Sequence, residues 1–322
     1  VLRVEPGVSV KLQKLTILRG KALVPSAATT AAALAAPGKA GNGGGIINRG
    51  NLTLIDVQVH RNTAGQAGKG GGGGVYNKGT LTLKGSTKIR GNFSPAGGGV
   101  YNKGTLRMKG SSSISGNGAE SAGGVYNEGT LTMGGSSSIR TNGAEDAGGV
   151  TNLGTLTMNG SSTIRGNTGG LNGAGGGVFN GHTGTLSMND SSSISGNSSV
   201  HASGGGVAND GGIVRLDDSS TISGNAASGG AGVSTWGKGT FTMRGFSTIS
   251  GNTSENGDGG GAYVGGGTFK MSATSAISGN TANASGGGLF RARGTLTGVT
   301  CGPQTFANVY GNSPDDCHIA VP

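Results

Sequence analysis

"GGGVYNKGTLTLKGSTKIRGN" (residues 72–92) returns as "GGGVYNKGTLRMKGSSSISGN" (97–117) and again as "GGVYNEGTLTMGGSSSIRTN" (123–142). Working outward from these lines, the residue after the Gly run is Ile46, Val75, Val100, Val125, Val150, Val178, Val207, Val233, Ala262 and Leu289, at spacings of 25–29 residues. A second column runs through Leu81, Leu106, Leu131, Leu156, Leu186, Phe241, Phe269 and Leu296. All six Met residues lie two positions after members of that column. A third column is Ile89, Ile114, Ile139, Ile164, Ile194, Ile222, Ile249 and Ile277, each followed three residues later by Asn.

The chain has 322 residues, of which 73 are Gly, with 12% charged and 4% aromatic. Gly at that level without a strict three-residue period excludes collagen. Apolar residues fixed at set places in every repeat exclude a disordered low-complexity segment. A repeat array runs as one unit whatever its length, so one domain over 1–322 is expected. Within it, 1–42 reads as an irregular N-terminal rung with an Ala-rich insertion (25–41) able to form a short helix. Residues 43–299 are the repeats and 300–322 a C-terminal segment.

Each repeat holds three short runs of alternating apolar residues separated by Gly, Ser and Asn. Alternation over four to six residues predicts a strand, and the Gly/Asn clusters predict turns. Three strands in 25–29 residues fit one rung of an all-β parallel β-helix, in which identical side chains stack from rung to rung. About ten rungs at ~4.8 Å each make a rod on the order of 50 Å long. Two Asn columns, Asn77 to Asn209 and Asn92 to Asn280, then occupy two corners. Asn suits these places because it tolerates left-handed turns and because stacked amides bond along a column.

The paired signatures GGGV and I-x-G-N resemble the GGA(I/V/L) and FxxN repeats of polymorphic outer-membrane proteins, and the right-handed parallel β-helix repeat proteins of bacterial surfaces. The resemblance covers about Gly43 to Asn280, with Ile standing where the family's second motif has Phe. It implies a right-handed β-helix and an extracellular or cell-surface place on a bacterium, in a structural or adhesive role.

No run of 18 apolar residues is present to make a membrane-spanning helix. The start at Val1 without Met is what removal of a targeting segment would leave. The only cysteines, Cys301 and Cys317, bracket "GPQTFANVYGNSPDD" and are read as one disulfide. A zinc site would need two further ligands, and only His318 is near in sequence.

Three classes of function compete. An enzyme would use Asp190, Asp217 and Asp218. Asp190 and Asp218 replace, in successive rungs, the Gly that follows the Met strand (Gly85, Gly110, Gly135, Gly160, Gly245). Stacked carboxylates ~5 Å apart suit a calcium site or acid/base work on a glycosidic bond, as in polysaccharide lyases and hydrolases. His182, His201 and Trp236 lie in neighbouring turns. The plainer reading is that Asp replaces Gly in a turn, with only Arg215 as a nearby base. No cofactor other than calcium is implied.

A surface-lattice protein would use the outward Thr pairs Thr80/Thr82, Thr130/Thr132 and Thr155/Thr157, a T-x-T array resembling the ice-binding faces of some solenoids; Thr is also a common outward strand residue. A structural or adhesive protein would use charge. Residues 1–109 carry 16 Lys+Arg and 2 Asp+Glu, and residues 110–322 carry 8 and 12. No aromatic-interleaved basic motif points to nucleic acid. The basic half instead suits anionic cell-surface glycans, or head-to-tail self-association in which Val1, Leu2 and Val4 of one subunit meet Leu289 and Val309 of the next.

Overall fold

The computed structural model describes residues 1–22, 41–65, 70–170, 175–302 and 307–320. The chain winds as a right-handed parallel β-helix with four parallel sheets of 12, 11, 11 and 10 strands. One rung illustrates the design: Val100–Asn102, Thr105–Met108, Ser113–Ser115 and Gly118–Ala119. Its successor is Val125–Asn127, Thr130–Met133, Ser138–Arg140 and Gly143–Ala144. Each strand pairs in register with its homologue, Val100 on Val125, Leu106 on Leu131, Met108 on Met133 and Ile114 on Ile139. The expected apolar columns are therefore the core, and all of these residues are buried.

Two features differ from the sequence reading. The segment after the Ile–Asn turn forms a fourth, short strand, where three strands per rung were expected. It is two residues long in most rungs and carries almost no apolar alternation to announce it. Residues 1–22 form a regular rung, not an irregular one. Leu2–Val4, Ser9–Gln13, Thr16–Leu18 and Lys21–Ala22 each pair with the rung that follows. The Ala-rich helix expected at 25–41 falls almost wholly outside the described residues.

The corners explain the Asn columns, though through one of the two reasons anticipated. Among the described residues no Asn has positive φ; Gly takes that conformation instead, as at Gly116 (φ 60°) just before Asn117. Asn is there for its amide. Asn48, Asn77, Asn102, Asn127, Asn152, Asn180 and Asn209 form a buried ladder in which each Nδ2 donates to the next Oδ1 at 2.7–2.9 Å. In the second ladder each Oδ1 accepts twice. Asn117 Oδ1 takes both the backbone N–H and the Nδ2 of Asn92, each at 2.9 Å. Asn117 Nδ2 in turn donates to Ile89 O at 3.1 Å. These bonds satisfy corner groups that sheet pairing leaves over, each contributing about 1 kcal/mol net.

The second ladder ends on a charge. Asn312 sends its backbone N–H and its Nδ2 to Asp316 Oδ1, at 2.9 and 3.1 Å. Asp315 Oδ1 accepts from Gly286 N and Gly287 N. Cys317–Ile319 pairs on Leu289–Arg291 as the last strand of its sheet, and the expected Cys301–Cys317 disulfide holds it, with a Cα–Cα distance of 5.9 Å.

Two substitutions test this account by thermal and chemical denaturation. Ile139→Asp buries an unpaired carboxylate at a cost of several kcal/mol and should unfold the middle rungs. Asn142→Ala strips the acceptor from Asn117 N and Nδ2 and should cost at least about 2 kcal/mol. A wild-type melting temperature for either variant would contradict the register.

Candidate anion-binding cleft

The third sheet carries the Ile column inward, so the residues on either side of each Ile face out. Its early strands are Gln58–His60, Lys88–Arg90, Ser113–Ser115, Ser138–Arg140 and Thr163–Arg165. Register pairing places His60, Arg90, Ser115, Arg140 and Arg165 in one outward column and Gln58, Lys88, Ser113, Ser138 and Thr163 in the other. The turn that follows supplies a third row, Arg61, Gly91, Gly116, Thr141 and Gly166, all at φ between 52° and 60°.

Those rows enclose a cleft of about 450 Å³ lined by His60, Arg61, Lys88, Arg90, Ser115 and Arg140, with Gly91, Gly116 and Thr141 at its edge. A Cβ at Gly91 or Gly116 would touch nothing within 4 Å, so the row is open there, with Arg61 before the gap and Thr141 after it. Ser113 and Ser115 are buried although they face outward, as short side chains flanked by longer ones become. The cleft is a short-chained rung sunk between longer-chained rungs.

Its electrostatics are one-sided. Among the described residues no carboxylate pairs with Arg61, Lys88, Arg90 or Arg140; Arg90 Nη2 donates instead to the neutral Gln58 Oε1 at 2.9 Å. Among the described residues two other cations do meet a carboxylate, Arg49 with Glu5 and Lys103 with Glu128. On the first sheet Lys103 Nζ lies 2.7 Å from Glu128 Oε2, beside a stack of Tyr76, Tyr101 and Tyr126 with ring centroids 5.5 and 4.9 Å apart. Burial pushes the Glu128 carboxyl up, but hydrogen bonds from Lys103 and Tyr101 outweigh it and hold the group below the usual carboxylate range. In the cleft, burial and then the charges of Arg90, Arg61 and Arg19 push the His60 imidazole below its ordinary range. Arg19 and Arg61 also occupy left-handed backbone at a corner where most rungs use Gly. That conformation costs a non-Gly residue of order 1 kcal/mol, and Thr141 adopts it in the same row without a charge.

The residues singled out from the sequence lie elsewhere. Asp190 and Asp218 sit at φ 56° on the corner after the second sheet, in the Gly position as anticipated. Asp190 Oδ2 accepts from Gly160 N at 2.6 Å and Asp218 Oδ2 from Asp190 N at 2.9 Å. Each of these two carboxylates is thus engaged with the preceding rung's backbone, whereas Asp56, at the same corner, accepts from Ser86 N of the following rung at 2.8 Å. Asp217 precedes Asp218 on the same corner. His182 is on the corner after the first sheet, its Nδ1 3.5 Å from Asp210 Oδ2, and Trp236 ends the first-sheet strand Val233–Trp236, in register with Asp210. His201 is exposed on the fourth sheet, in Ser198–Ser203. Asp190 and Asp218 are thus stacked on adjacent rungs, as expected, with Asp217 beside them, whereas His182, Trp236 and His201 lie on other parts of the rung. Among the described residues no three His, Cys, Asp or Glu side chains converge as a metal site.

The Thr array is on the outer face of the second sheet, above buried Leu and Met. Thr80, Thr105, Thr130, Thr155 and Thr185 follow without a break until Ile213, while Thr82, Thr132 and Thr157 share their column with Arg107. At the rod's ends, Val1 is exposed and Leu2 half-buried, whereas Val4, Leu289 and Val309 lie in the core. No helix among the described residues is long and apolar enough to cross a membrane.

The cleft went unrecognised in the sequence because its signal is spread over 80 residues. It is nevertheless written there: the residue after the column Ile is Arg in "KIR", "SIR" and "TIR" (88–90, 138–140, 163–165) and Ser in the later repeats. No protein-family model, curated protein or solved structure matches the chain.

Two predictions follow from the geometry. An anion among these cations favours imidazolium, so sulfate titrated into the protein should raise the His60 pKa followed by NMR. By linkage, sulfate binds more tightly as pH falls through the His60 range. A His60 pKa unmoved by saturating sulfate would contradict the cleft's role. At the other corner, Asp190→Gly with Asp218→Gly exchanges two backbone hydrogen bonds for relief of left-handed strain. Its melting temperature should stay within a few degrees of wild type.

Proposed function

We propose that this protein is a surface-associated structural or adhesive β-solenoid that holds anionic polysaccharide on its third sheet. The observation that carries the reading is the cleft, where Arg61, Lys88, Arg90 and Arg140 line one wall of the rod and, among the described residues, no carboxylate pairs with them. A rigid row of guanidinium groups suits carboxylates and sulfates, which Arg recognises by paired hydrogen bonds. Long-range attraction follows from the basic half of the chain, with 16 Lys+Arg against 2 Asp+Glu in residues 1–109. A parallel solenoid offers an extended face matched to a polymer, since its outward columns run along the rod. The resemblance of the repeats to those of bacterial surface proteins supports a cell-surface setting. So does the Cys301–Cys317 pair, because disulfides persist in oxidising compartments.

The reading is tested by retention on immobilised dextran sulfate in a salt gradient. Wild type should be held and released by salt, since exposed charge pairs are screened. Arg90→Ala with Arg140→Ala alters outward side chains only, so the fold should survive. Losing two exposed pairs of up to about 1 kcal/mol each should weaken binding roughly tenfold. Elution of the double variant at the wild-type salt concentration would retire the reading.

A further inference from the structure

An exposed aromatic residue borders the cleft. Phe93 opens the short fourth-sheet strand Phe93–Ser94, where Ser94 is buried and Phe93 is 51% exposed. Its register column on the fourth sheet runs from Lys21 to Thr281, and every other position in it is Lys, Thr, Ser, Ala or Gly. The rung that carries the aromatic is also the rung of Lys88 and Arg90. Gly91, at the edge of the cleft, is two residues before Phe93 and Arg90 is three, at most about 7 and 10 Å of backbone.

The ring does not fold into the rod. A Cβ on Gly118 would stand 3.3 Å from Phe93 Cδ2, so the phenyl lies across the bare backbone of the next rung. Gly116, two residues before Gly118, is also at the edge of the cleft. The ring thus lies beside the cleft's glycine edge, between the Gly91 and Gly116 rungs. The next position of its column, Gly143, is open as well: a Cβ there would meet nothing nearer than Thr168 O at 3.9 Å.

We infer that Phe93 is a sugar-stacking platform, and that the site continues from the third-sheet cations across the Gly91 corner onto the fourth sheet. This inference rests on the anion-binding reading above and adds the uncharged part of the ligand. A pyranose ring is polar at its rim and apolar over its C–H faces, and an exposed phenyl covers such a face. The phenyl stands on a rigid strand, so covering it removes apolar area from water at little ordering cost. Cations alone hold any polyanion. A phenyl beside them favours a polyanion built of sugar rings over a phosphate chain of equal charge.

Isothermal titration with dextran sulfate and with inorganic polyphosphate separates charge from stacking, since polyphosphate has no apolar face. Phe93→Ala should weaken dextran sulfate binding about fivefold, the worth of covering the exposed half of a phenyl ring, and leave polyphosphate binding unchanged. Phe93→Trp should keep the affinity for dextran sulfate and shift its emission when that polymer, but not polyphosphate, is added. Phe246→Ala removes a phenyl that is 70% exposed on the corner after the second sheet, and should change neither affinity. Wild-type affinity of Phe93→Ala for dextran sulfate, or equal weakening toward both polyanions, overturns the platform and leaves the anion-binding reading standing. Binding of neither polymer by wild type overturns both.

Discussion

Every rung of this protein leaves buried polar groups at its corners that only the next rung can satisfy. The Asn ladders meet that constraint. An unpaired buried amide costs more than a made hydrogen bond returns, so a rung is stable chiefly as a member of a stack. The two ladders end differently. The second closes on the Asp316 carboxylate beside the disulfide. The first stops at Asn48, whose Oδ1 has no partner because its register neighbour in the first rung is Val4. The repeat register, the Gly corners and the dry Val, Leu, Met and Ile columns all follow from rungs that must superimpose.

Close stacking also dictates composition. A Cβ on Gly99 would lie 2.6 Å from Gly124 O, so the corner before each Val strand admits no side chain. With the interior committed to columns and the corners to Gly and Asn, chemistry is left to the outward strand positions and to those turns with open space. The third sheet and its corner are where both freedoms coincide. Its cations stand on a rigid scaffold at intervals imposed by hydrogen bonding between rungs.

The acidic residues show how the same scaffold absorbs groups that look functional. Asp190 and Asp218 attract notice because they depart from a Gly column. Once the rungs are stacked, each carboxylate has a backbone N–H of the preceding rung within reach. Asp315 and Asp316 at the C-terminal end are likewise turned to backbone and amide donors of the terminal rungs.

The sequence by itself determined the parallel β-helix, its core columns and the two Asn corners. Strand alternation has period two and the repeats align, so inward residues announce themselves by recurring as Val, Leu, Met and Ile. It could not announce the fourth sheet, whose two-residue strands are too short to alternate, nor which polar residues share a surface. Arg61, Arg90 and Arg140 are up to 79 positions apart, and only pairing across rungs makes them neighbours. The tertiary structure also decided which charges stay unpaired. Lys103 meets Glu128 because one rung sets them side by side on the first sheet, whereas no acid stands in the columns beside Arg90 and Arg140. Partnership on a solenoid surface is a property of register and corner geometry, and neither is carried by any single repeat.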